Sequence, residues 1–168
     1  LNFLTPTETR THFAAWCIVS SPLILSHDLT NDTVMDAVWP IISNHEALAV
    51  NDAWVGDAGI LVKKSEEMVP FTNCAWGFNQ YCQHAASMVW KKQLPNGRMA
   101  VLLMNNRNTT ANVSISWHDD LPPDLQFRCL PDGCPVRDIY AHKDLGVYDK
   151  GFTAADVAPH DSAFIIVQ

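Results

Sequence analysis

The sequence predicts a mixed fold, the tail of a larger α/β domain followed by an antiparallel β-sandwich. Three observations predict it. Helix-start signals and three- and four-residue apolar spacing fill the first third, then give way near Ile60 to alternation of apolar and polar residues. A short, wholly apolar run, Leu23-Ile24-Leu25, sits between the helical segments, as a strand covered on both sides would. The chain has 168 residues, and a helix, one strand and further helix cannot close a parallel barrel, which takes roughly 250.

Thr5, Pro6 and Glu8 mark the first helix. Threonine caps a free amide, proline loses nothing in a first turn, and the glutamate reaches back. Phe13, Trp16, Cys17 and Ser20 then share one face, and Ser21-Pro22 ends the helix. Ser26, His27 and Asp28 follow the apolar run at what would be the strand's C-terminal end, where ligands collect in βα architectures. Asn31-Asp32 starts a second helix through Val38, which Pro40 breaks or restarts. Ser43 with Glu46 forms another capping box ahead of Ala47, Leu48 and Val50.

Beyond the connector 51–59 the period becomes that of strands. Met88 and Trp90 lead to the turn Pro95-Asn96-Gly97, and Met99 to Met104 follows as a strongly apolar strand. Ala111, Val113, Ile115 and Trp117 alternate with Asn112, Ser114 and Ser116, giving one inward and one wet face. Leu125 to Cys129, Val136 to Tyr140 and Ala163 to Val167 complete the candidate strands. Many short strands with turns between them argue for a sandwich.

Composition narrows the function. With 48% hydrophobic and 17% charged residues the chain is neither a disordered tail nor a coiled coil. A net charge of −7 offers no general basic surface to phosphates, so neither nucleic acid nor an anionic membrane is expected as a partner. The apolar stretch from Phe13 to Leu25 is broken by Ser20, Ser21 and Pro22, and is too short for a transmembrane helix. Leu1 stands where a start methionine would, so an N-terminal portion is expected to be missing.

Five cysteines leave at least one unpaired. Cys74 and Cys82 lie close together in a loop-like stretch, and Cys129 and Cys134 bracket the turn Leu-Pro-Asp-Gly, so these are the expected disulfides. Cys17, among apolar residues, is expected to be a buried thiol. Disulfides suit an oxidising compartment, outside the cell or in a lysosome or vacuole. Cys82 and His84 are too close for a zinc finger and no second ligand pair follows, so no metal or other cofactor is expected. Asn31, Asn108 and Asn112 each open an Asn-X-Ser/Thr triplet and are candidate glycan acceptors.

The stretch Thr11-His12-Phe13-Ala14-Ala15-Trp16-Cys17, then Ser21-Pro22-Leu23-Ile24-Leu25 and Asp28-Leu29, resembles the seventh helix and eighth strand of glycoside hydrolase family 27, the α-galactosidase and α-N-acetylgalactosaminidase group. Ser43-Asn44-His45-Glu46 with Ala49-Val50-Asn51 is similar to that family's last barrel helix. Ala100 to Asn105 and Val157-Ala158-Pro159-His160 are similar to its small sandwich domain. Asp52 departs from the glutamine that many members carry there.

The resemblance implies that residues 1–58 are the last helix-strand-helix portion of a truncated (β/α)8 barrel and 59–168 the sandwich. It implies a retaining exo-glycosidase that removes terminal α-linked galactose or a related sugar, with an α-galactoside-type carbohydrate as substrate and the missing barrel portion as structural partner. Two aspartates do the chemistry in that family, both upstream of Leu1, so no catalytic residue is assigned in this chain. Ser26, His27 and Asp28 become candidates for the substrate pocket. The alternative is a non-catalytic carbohydrate-binding or structural sandwich module.

Plainer roles compete at several residues. Asp28 is as well suited to capping a turn. Asp119-Asp120 reads as a solvated turn, His12 as structural, and Arg10 with Glu8 as a helix-end charge pair. Trp90 and Trp117 belong to strand patterns and are expected in the core, whereas Trp54 and Trp76 lie in connector sequence.

Overall fold

The computed structural model describes residues 4–25, 28–70, 83–121 and 133–168. Three helices precede ten strands among them: α1 (Pro6–Ile18), α2 (Asp32–Ile42), α3 (His45–Asp52), β1 (Ile60–Lys64), β2 (Met68–Pro70), β3 (Gln83–Ala85), β4 (Ser87–Gln93), β5 (Met99–Asn105), β6 (Ala111–Ser116), β7 (Cys134–Asp138), β8 (Lys143–Tyr148), β9 (Gly151–Val157) and β10 (Ser162–Val167). The expected segment Leu125 to Cys129 lies outside the described residues.

A six-stranded antiparallel sheet, ordered β1-β4-β5-β10-β7-β8, forms the middle layer. Its centre is β5, apolar from Met99 to Met104 because both of its faces are covered. Val101 and Leu103 face the hairpin-like pair β6-β9 through Val113, Ile115 and Phe152. Ala100 and Leu102 face α1 and α3 through Phe13, Cys17, Ala47 and Val50. β10 repeats the division, with Ile165 and Val167 on the sandwich side and Phe164 and Ile166 on the helical side. The smaller pair β2-β3 forms its own two-stranded sheet, tied to the end of β5 by Asn106 Nδ2 donating to Ala85 O at 2.8 Å.

The first helix begins as its sequence predicts. Thr5 caps the Glu8 amide while the Glu8 carboxylate accepts from the Thr5 amide at 2.7 Å, which lowers the pKa of that carboxyl. The third helix departs in one residue: Asn44, not Ser43, is its cap, accepting from the Glu46 and Ala47 amides at 3.0 Å each. Pro40 does not break α2, which runs on to Ile42; the missing amide falls near the helix end, where the loss of one backbone bond is tolerable.

Leu23, Ile24 and Leu25 form no strand in this chain. They are irregular, and Ile24 is 75% exposed. A central strand needs backbone partners on both edges and side-chain cover on both faces, and the described residues offer neither.

Candidate functional site

Of the three residues nominated for a pocket, Ser26 and His27 lie outside the described residues. Asp28 is exposed and closes a short Asx turn, accepting from the Thr30 hydroxyl at 2.7 Å and the Thr30 amide at 2.9 Å. Those bonds favour the ionised form and lower its pKa. Nearby, α1, α2 and the segment 23–25 form an apolar groove lined by Phe13, Trp16, Leu23, Ile24, Val38 and Ile42. α2 has no buried residue, and Trp39 on it is 56% exposed.

The densest polar chemistry lies where the helices meet the middle sheet. Lys92 points from β4 into this layer and is 1% exposed, with Nζ donating to the carbonyls of Val50 and, at 3.1 Å, Asn51. These are carbonyls that the end of α3 leaves without helical partners, and a cation suits that end of a helix. Burial lowers the lysine pKa, since the charged form loses its water.

Glu46 on α3 takes a two-pronged contact from Arg137 on β7, at 2.8 and 2.9 Å, and its Oε1 lies 2.7 Å from His142 Nδ1. The guanidinium is the main reason its carboxyl titrates below the usual range. Arg137 also reaches Asp144 at 2.9 Å.

Arg10 does not pair with Glu8. Its guanidinium grips Asp161 before β10, with Nε 3.0 Å from Oδ1 and Nη2 on Oδ2, because the second turn of α1 faces the sheet while Glu8 is taken up by the cap. Thr11 donates to the His160 carbonyl at 3.1 Å and to Ser162 Oγ at 3.0 Å, and the Tyr140 hydroxyl donates to the Arg10 carbonyl at 2.8 Å. Asn44 Nδ2 donates to Ile139 O at 3.1 Å, and Asn51 Nδ2 to Ser21 O at 2.9 Å. Lys92, Arg137 and Asp161 carried no sequence motif; the partners that reveal them are 41 to 151 positions away in the chain.

The remaining nominated residues fall as follows. Cys17 is free and buried, and burial pushes its thiol up to about 12. Cys134 is disulfide-bonded, while Cys74, Cys82 and Cys129 lie outside the described residues. Asn31 caps α2 through the Val34 amide at 3.1 Å, Asn108 Oδ1 lies 2.7 Å from His160 Nε2, and Asn112 Oδ1 accepts from the Asp156 amide at 2.9 Å. All three side chains are exposed.

Asp119 pairs with His118, and Asp120 accepts from the Ser116 amide and Lys63, both at 2.7 Å, so this pair braces a turn. Trp117 is buried and donates to Tyr148 O at 2.9 Å, Trp90 is half-buried, Trp54 is exposed, and Trp76 lies outside the described residues. His12 is exposed and edge-on to Trp16. No group of three or more His, Cys, Asp or Glu residues able to hold a metal occurs among the described residues.

Comparison with known proteins agrees with this layout. Residues 85–167 match the α-galactosidase C-terminal β-sandwich domain. The chain is 29% identical to α-galactosidase 3 of Arabidopsis thaliana over 94% of its own length and 31% of the relative's. It is 29% identical to an α-galactosidase of Coffea arabica over 98% of its length and 36% of the relative's. Among solved structures, a family 27 β-L-arabinopyranosidase of Geobacillus stearothermophilus superposes with a TM-score of 0.74 at 22% identity, covering 100% of this chain and 32% of that one. The chain thus spans about a third of the length of the curated relatives it matches.

Proposed function

We propose that this chain, whose residues 85–167 match the α-galactosidase C-terminal β-sandwich domain, is part of a retaining exo-α-galactosidase-like hydrolase that removes terminal α-linked galactose or a related sugar. The observation that carries the reading is the reach of the likeness. It extends beyond the sandwich over 98% of the chain, so that the helical third aligns with α-galactosidases as well.

On this reading residues 1–58 are the closing edge of a (β/α)8 barrel and 59–168 the sandwich that braces it. The exposed apolar groove between α1 and α2 supports this, since a barrel edge buries such a face against neighbouring strands and helices. The catalytic carboxylates belong to the barrel portion outside this sequence. A retaining pair sits about 5 to 5.5 Å apart, one carboxylate attacking the anomeric carbon while the other protonates the leaving oxygen.

The contribution of this chain is then mechanical. Lys92, the Glu46-Arg137 pair and the Arg10-Asp161 pair hold α3 and α1 on a rigid sheet, and through them the end of the barrel. Ser26, His27 and Asp28 would stand at the mouth of the sugar pocket, shaping it without proton transfer. Disulfides Cys74–Cys82 and Cys129–Cys134, and glycans on Asn31, Asn108 or Asn112, accompany a secreted or lysosomal/vacuolar setting. In each of the three asparagines Oδ1 carries the described contact, leaving Nδ2 as the atom a glycan would use.

The test is hydrolysis of p-nitrophenyl α-galactoside by the full-length protein that carries this chain, with the first-formed anomer read by NMR. Release of galactose as the α-anomer is expected. Inversion, or no turnover of any α-galactoside or α-N-acetylgalactosaminide, would sink the reading.

A further inference from the structure

Among the described residues the two-stranded layer β6-β9 faces a six-stranded sheet and does not cover all of it. Between β9 and the β10-β7-β8 half of the middle sheet this mismatch leaves a cleft of about 510 Å3, to which no residue of β6 contributes. Its size lies within the roughly 300–1,000 Å3 of small-molecule sites.

One end of the cleft is rigid. Arg10 is held by Asp161 and lies 5.6 Å from the centre of the Tyr140 ring, and Tyr140 is itself tied to the Arg10 carbonyl. Arg10 spends Nε and Nη2 on Asp161, and among the described residues Nη1 has no protein partner. Asp138 spends Oδ1 on the Ala141 amide at 2.9 Å and keeps its second oxygen. Asp156 stands on β9 with its amide pinned by Asn112. Leu145, Tyr148 and Phe152 supply apolar surface, the two rings edge to face at 5.1 Å.

These features select among ligands. Among the described lining residues three carboxylates, Asp138, Asp156 and Asp161, stand against one guanidinium, that of Arg10, which disfavours an anion. An extended peptide adding to the free edge of β9 needs an unbroken row of edge amides. The register shift opposite Ala111 to Val113, with Asp156 in the left-handed region at φ 53°, interrupts that row. What remains complementary is a neutral polyhydroxylated molecule, whose hydroxyls donate to carboxylates and accept from a guanidinium while its C–H faces lie on apolar and aromatic side chains.

We propose that this cleft is a non-catalytic saccharide-binding site on the sandwich, with Asp138 and Asp156 as acceptors and Arg10 as donor. The site holds substrate or product sugars away from the barrel. Galactose as its probe rests on the α-galactosidase reading; the cleft itself does not.

The experiment is equilibrium dialysis of radiolabelled D-galactose against the full-length protein, comparing wild type with the double variant Asp138→Asn/Asp156→Asn and with Leu145→Trp. Asparagine preserves Oδ1 at 138 and tolerates the left-handed backbone at 156. Tryptophan narrows the cleft beside Tyr148 and Phe152 and leaves its charged residues in place, which guards against misfolding of the first variant. Each variant is expected to bind one galactose per chain fewer than wild type, the lost site weakening at least tenfold. The same number bound by wild type and both variants would overturn the proposal. Turnover of an α-galactoside, measured separately, keeps the two readings apart: no turnover with the variant-sensitive site present sinks only the barrel reading, and turnover with an unchanged count sinks only the cleft.

Discussion

Lys92 concentrates the energetics of the helix-sheet layer in one side chain. Removing its ammonium leaves the Val50 and Asn51 carbonyls without that donor, at about 1–3 kcal/mol for each buried group left unsatisfied. Relief of the desolvated charge offsets part of this. Lys92→Met is therefore expected to destabilise by about 1–3 kcal/mol in urea unfolding; an unchanged midpoint would show that water serves those carbonyls equally well. Glu46 makes the opposite electrostatic case. Arg137 lowers its folded pKa below the 4.5 of the free side chain, so its stabilisation is fully present above about 4.5 and is lost as pH falls through the folded value. Glu46→Gln should flatten that acid limb, and an identical dependence of the urea midpoint on pH between 5 and 2 would refute the assignment. Cys17, pushed up to about 12, is almost wholly thiol at neutral pH. Iodoacetamide should leave it unmodified in the native protein and label it after unfolding; labelling at equal rates in both states would contradict its burial.

At the scale of elements, the join between α1 and β1 depends on a close approach. The Gly59 amide donates to Ile18 O at 2.9 Å, and a Cβ on residue 59 would fall 2.1 Å from that same oxygen. Space, not backbone conformation, demands glycine there. Gly59→Ala is expected to cost about 2–4 kcal/mol, because either this bond breaks or the end of α1 shifts off the sheet. A calorimetric melting temperature within a degree of wild type would show that the connector gives way freely. α2 behaves differently from its neighbours: its cap is sound, yet it buries no residue, so its helical state draws little from tertiary packing within this chain. Its hydrogen exchange should be much faster than that of α1 and α3 when the chain is studied alone.

For the molecule as a whole, two cores share the middle sheet, and the helical face beyond them stays open. One core lies between the middle sheet and β6-β9, and a second between that sheet and α1 and α3. Beyond the second core, Ile24, Leu25, Leu29 and Trp39 stay exposed. Expressed alone, the chain should be prone to associate through this face, should show no α-galactoside hydrolysis, and should become monodisperse when joined to the rest of the protein. A purified monomer of this chain with turnover would overturn both the surface argument and the placement of catalysis elsewhere.

How much was legible in the sequence follows from the range of the interactions. Thr5, Pro6 and Glu8 mark the start of α1 because a cap involves neighbours three residues apart, and the unbroken apolar run of β5 announces a strand covered on both faces. The 3.6-residue and two-residue periods likewise set helices apart from strands. Three outcomes depended on tertiary structure. Leu23 to Leu25 carry a strand's composition without its backbone partners, so they remain irregular here. Lys92 looks like an ordinary alternating strand residue until α3 lays its carbonyls over it. The cleft beside β9 lies where, among the described residues, two strands meet six, a mismatch of layer widths that no local pattern encodes. Local geometry is written in spacing, whereas the partners of a buried charge and the gaps between layers are decided by which distant segments pack together.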